Sequence, residues 1–127
     1  MWRLWSPNYR FDEETFARSA ASFDNPDFVD VVIQSYRHRY GNAAGDPALE
    51  PIERRLAELP PIRVPTVNLH GACDGVTPAE GSERHARHFT GPYRRRVVPE
   101  AGHFLPREAP SVVFDAIRAL DRGEVAP

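Results

Sequence analysis

The chain has no lysine, a single cysteine, a single methionine and no Gly-x-Ser-x-Gly anywhere in its 127 residues. Each absence narrows the reading. All 16 basic residues are arginine, which suggests a GC-rich source and no function. Cys73 alone cannot close an internal disulfide, so nothing marks a secreted, stapled fold. No apolar run approaches a membrane span, and Met1-Trp2-Arg3-Leu4 does not open a signal peptide. The expected setting is therefore the cytoplasm. A formal net charge of −2 and a pI near 6.2 give no reason to expect nucleic acid or an anionic membrane as a partner. The length suits at most one domain. Although 13 prolines are many for so short a chain, most stand where helices begin, so they do not signal disorder.

The N-terminal third is helical in pattern. Asp12 can cap a helix carrying Phe16, Ala17, Ala20 and Ala21. Asn25-Pro26-Asp27 is a second helix start, followed by the stripe Phe28/Val29, Val32/Ile33, Tyr36 and Tyr40, and closed by Gly41. Pro47 opens a third helix with Leu49, Ile52, Leu56 and Leu59 at helical spacing, stopped by Pro60-Pro61. Val64 to His70 then reads as a strand, weakened by Asn68. Thr77-Pro78-Ala79-Glu80 matches a capping box and predicts a helix to about Phe89. Arg94 to Val98 forms a second short strand. A last helix from Glu108-Ala109-Pro110 to near Gly123 turns Val113, Phe114, Ile117 and Leu120 inward. From Pro47 onward the order helix, strand, helix, strand, helix is that of a parallel α/β sheet.

Two segments carry chemistry. Asp74 follows the first strand in Leu69-His70-Gly71-Ala72-Cys73-Asp74-Gly75-Val76, and His103 follows the second in Ala101-Gly102-His103-Phe104. Open α/β sheets gather reactive groups at the carboxyl ends of their strands, so both residues should meet at one edge. A carboxylate on one imidazole nitrogen fixes the tautomer and leaves the other nitrogen free to take a proton. Taken singly, Asp-Gly is an ordinary turn dipeptide and Gly-His occurs by chance. Their joint placement in the order acid, then histidine, is what points to a triad.

Val64-Pro65-Thr66-Val67-Asn68-Leu69-His70-Gly71-x-x-Asp74-Gly75-Val76, followed by Gly102-His103-Phe104-x-x-x-Glu108-x-Pro110, resembles the C-terminal part of the α/β-hydrolase superfamily. The resemblance runs from about Pro47 to Leu120, while Met1 to Tyr40 is similar to the lid region that precedes it. It implies an α/β fold in which residues 1–45 form a helical lid-like region and residues 46–127 the C-terminal hydrolase segment. It implies Asp74 and His103 as catalytic acid and base, no cofactor and no metal. It also implies hydrolysis of a small-molecule substrate: an ester, epoxide or halide. The family's nucleophile elbow, oxyanion-hole loop and first strands have no counterpart here. The expectation is a truncated hydrolase whose isolated chain is inactive. The rival expectation is a non-catalytic remnant or interaction module that self-associates or pairs with a missing N-terminal hydrolase half.

Other residues receive plainer readings. Ser6, Ser19, Ser22, Ser35, Ser82 and Ser111 lack an elbow context and read as surface or helix residues. Cys73, adjacent to Asp74, reads as a small hydrophobe rather than a nucleophile. His85 and His88 sit three apart on an expected helix, without a zinc spacing. Arg94-Arg95-Arg96 reads as a solvated strand start. Trp2, Trp5, Phe11 and Tyr36 could line an apolar pocket, although core packing explains Tyr36 as well. Lid tyrosines act as acids in the epoxide-hydrolase branch, but nothing assigns that role to Tyr36 or Tyr40. Glu108 reads as support for the last helix.

Overall fold

Residues 1–125 are described by the structure, a computed structural model. Two compact units divide the chain: Arg10–Leu59, and Met1–Tyr9 together with the segment from Pro60 onward.

The Arg10–Leu59 unit is helical. Asp12 sits in extended backbone and its carboxylate accepts from the Thr15 N–H at 2.7 Å, starting α2 (Glu13–Ala20). Upstream in the chain, the single turn α1 (Trp2–Trp5) belongs to the other unit. A 3-10 turn follows, and Asn25 Oδ1 accepts from the Asp27 N–H at 3.0 Å just before α3 (Phe28–Arg39). Gly41, at φ +72°, ends that helix as its N–H reaches the His38 carbonyl at 3.0 Å. Asp46 caps a short 3-10 turn that runs into α4 (Glu50–Ala57). The α3 stripe is less buried than its spacing suggests, since Val29, Ile33, Tyr36 and Tyr40 are all more than half exposed.

The other unit carries the sheet. Strands β1 (Thr66–Gly71) and β2 (Tyr93–Val98) pair in parallel, with Thr66 opposite Tyr93 and Gly71 opposite Val98. An isolated bridge between Ile62 and Phe89 extends the pairing upstream. After β2 come α5 (Leu105–Glu108) and α6 (Pro110–Asp121). The core is small: buried Val98, Ala101 and Leu105, with Leu69, Ala109, Val112 and Val113 packed around them.

Two expectations fail here for identifiable reasons. The helix expected from Thr77 to Phe89 is instead two 3-10 turns, Ala79–Ser82 and His85–His88. A helix there would need the Ala79 carbonyl to receive the Glu83 N–H. That carbonyl instead accepts from Arg95 Nη2 at 2.6 Å and Ser82 Oγ at 3.0 Å, and Glu83 turns to the Glu80 carbonyl. In α6, Phe114 and Ile117 are exposed, not inward. The helix is apolar on more than one face, and the face holding Val112, Val113 and Ala119 takes the core.

Candidate active site

Both strands deliver a loop at their carboxyl ends. After β1 the chain turns on Asp74, whose Oδ1 accepts from the Val76 N–H at 2.8 Å and the Thr77 N–H at 3.0 Å. This Asx turn is the local reason for an aspartate here, because a short carboxylate can reach the backbone two and three residues on. After β2, residues 99–102 bring His103 alongside, with the Cys73 N–H donating to the Ala101 carbonyl at 2.8 Å.

The structure thus brings Asp74 and His103 together. Nδ1 of His103 lies 3.0 Å from Asp74 Oδ2 and 3.1 Å from Oδ1. A carboxylate only accepts, so Nδ1 carries the proton and donates. Nε2 is left as the basic nitrogen and has no hydrogen-bond partner among the described residues. Asp74 is 10% exposed at its side chain and His103 36%, so the acid is sheltered and the base open. Burial by itself would raise the Asp74 pKa. The hydrogen bonds from Thr77, His103 and Val76, with the attraction of His103, outweigh burial and hold it below the usual aspartate value.

The segment Met1–Tyr9 belongs to this unit and organises the site, which its sequence did not signal. The Trp5 carbonyl accepts from the Gly75 N–H at 3.0 Å and from the His103 N–H at 3.1 Å, so one oxygen ties the acid loop to the histidine loop. The approach is close enough that a Cβ at Gly75 would run into the Leu4 carbonyl. The Trp5 ring meets the His103 imidazole edge-on, with centroids 5.5 Å apart, and Phe104 packs against Trp2 at 5.3 Å. Trp2 and Trp5 therefore surround the histidine loop, while Phe11 and Tyr36 belong to the helical unit.

Two serines expected at the surface or on helices are buried. Ser6 is 0% exposed and Ser82 is 1% exposed. Ser6 Oγ donates to Glu108 Oε1 at 2.6 Å. Glu108, read as helix support, turns its carboxylate onto the Gly102 and Phe104 N–H groups at 2.8 and 3.0 Å. Ser82 Oγ meets His70 Nδ1 at 2.8 Å and accepts from Arg95 Nε at 2.8 Å. Arg95 is consequently half-buried, unlike exposed Arg94 and Arg96, which corrects the solvated reading of the triplet. His70 Nε2 donates to the Thr77 carbonyl at 2.8 Å, bracing the turn that holds Asp74.

The remaining candidates stand apart from the pair. Cys73 Sγ accepts from Asn8 Nδ2 at 3.3 Å. His85 bonds Asn68, and His88 accepts from Arg87. Among the described residues no group of three or more His, Cys, Asp or Glu side chains could hold a metal ion. No helix among them is long and apolar enough to cross a membrane.

No family model matches the chain, and no curated protein does. Among solved structures it is similar to a putative epoxide hydrolase from Klebsiella pneumoniae subsp. pneumoniae MGH 78578, at 42% identity and a TM-score of 0.86. The match takes in 95% of this chain and spans 40% of that protein's length. At the coarse level the chain is therefore a mixed α/β protein, similar to part of a hydrolase-type enzyme.

Proposed function

We propose that Asp74 and His103 are the acid and the general base of an α/β-hydrolase triad. The reading extends to a small ester, epoxide or halide as substrate and to a nucleophile supplied from outside these 127 residues. The observation that carries it is the donation from His103 Nδ1 to both oxygens of Asp74, with Nε2 left open. Nε2 can take the proton of an attacking hydroxyl or water, and Asp74 then stabilises the imidazolium that forms. With a serine nucleophile, the base acts on the serine O–H and then on water. With an aspartate nucleophile, it acts on the water that cleaves the covalent ester. The name of the Klebsiella protein favours the epoxide branch. Neither sequence of steps calls for a metal or organic cofactor.

A second observation favours completion of this fold by further strands. Parallel sheets are ordinarily buried on both faces, yet among the described residues two parallel strands stand alone, with Phe114 and Ile117 58% and 57% exposed on α6. The interaction-module reading, by self-association or pairing with an N-terminal hydrolase half, rests on these surfaces.

A substrate panel separates the two. Aryl esters, terminal epoxides and haloalkanes are offered to the 127-residue chain and to the product of its gene's full reading frame. The hydrolase reading expects turnover by the latter and the buffer rate for the former. No turnover of any class by either would favour the interaction module.

A further inference from the structure

We propose that Glu108 and Ser6 are positioning residues for His103, gripping the peptide groups on either side of it so that its Nδ1 stays on Asp74. The inference deepens the hydrolase reading and rests on it. His103 is the more exposed member of the pair and follows an irregular loop, so its orientation needs a fixed backbone. Three consecutive amides supply that. The Gly102 N–H donates to Glu108 Oε2 at 2.8 Å, and the His103 N–H to the Trp5 carbonyl at 3.1 Å. The Phe104 N–H is shared between Glu108 Oε1 at 3.0 Å and Ser6 Oγ at 3.1 Å. Ser6 Oγ–H closes the set on Glu108 Oε1 at 2.6 Å.

This arrangement is more than a helix cap. Gly102 lies outside α5, so its bond to Glu108 satisfies no helix end. Among the described residues no arginine forms an ion pair with Glu108, so its charge is met by N–H and O–H donors that all belong to the histidine loop or to Ser6. Ser6 is wholly enclosed and has no other side-chain partner among the described residues. The pair touches neither reacting atom, and acts only through the loop.

The test reads the imidazole tautomer of His103 by nitrogen-15 NMR, with the signal identified among the 5 histidines by its loss in His103→Gln. In the wild type the Nδ1–H form is expected. Glu108→Ala should lose it in favour of the mixture shown by a free imidazole, while the amide resonances of β1 and β2 are retained. Ser6→Ala should shift the balance in the same direction by less, and it decides the matter if Glu108→Ala does not fold. Asp74→Ala, which removes both acceptor oxygens, marks full loss. If Nδ1–H persists in a folded Glu108→Ala protein, or in Ser6→Ala where that variant decides, the positioning role is refuted and the hydrolase reading stands. If the wild type lacks Nδ1–H, both fail together.

Discussion

Asp74→Asn keeps the shape of the acid and removes its charge, and its effect on stability can be worked out bond by bond. The asparagine oxygen can still accept from Val76, Thr77 and, at the longer 3.1 Å contact, His103 Nδ1, but the amide nitrogen replaces Oδ2, the acceptor 3.0 Å from Nδ1, with a donor. Hydrogen bonds to a charged group contribute roughly 1.5–3 kcal/mol against about 1 for neutral ones, and relief from burying a charge offsets part of that difference. The net expectation is a loss of about 1–2 kcal/mol at neutral pH, seen in urea unfolding as a midpoint lowered by ~0.5–1 M. The pH dependence has a definite sign. The folded Asp74 pKa is depressed below its reference value of 3.8, so the carboxylate's contribution is fully present well above that value. It fades as pH falls through the lower folded pKa. The gap between wild type and variant should therefore be widest near neutrality and should shrink below about pH 4. A gap that is constant from pH 7 to pH 3, or no gap at all, would refute the bonding assigned to Asp74.

Two further perturbations probe the frame around the pair. Gly75→Ala places a Cβ against the Leu4 carbonyl and strains the Gly75–Trp5 bond; overpacking and one lost hydrogen bond together predict about 2–4 kcal/mol of destabilisation in urea unfolding. An unchanged midpoint would mean that residues 1–9 do not clasp the acid loop. Leu105→Ala hollows the small core beside Val98 and Ala101 and should cost about 2–4 kcal/mol by the same assay. A cost well below 1 kcal/mol would place the core elsewhere.

Much of the fold was legible because it rests on local rules. Asp12 caps as its side chain dictates, Gly41 closes α3 with a positive φ, and the two strands fall between helices and turns, where the alternation of elements puts them. The meeting of Asp74 with His103 was legible for a topological reason, since parallel strands release their loops at one edge. What escaped depends on contacts distant in sequence. Arg95 captures the Ala79 carbonyl and undoes an apparent capping box. Ser6 meets Glu108 across almost the whole chain, and nothing near either residue announces it. Phe114 and Ile117 have helical spacing, but periodicity alone does not say which face of a largely apolar helix finds the core.

In the proposed triad His103 is the base and Asp74 its acid. The most direct measurement is the hydrolysis rate of the full reading frame's product, with and without His103→Ala, on the best substrate of the ester, epoxide and halide panel. A fall of about a thousandfold or more is expected, because the group that accepts the proton is gone while the fold remains. A rate within a factor of a few of the wild type would contradict it.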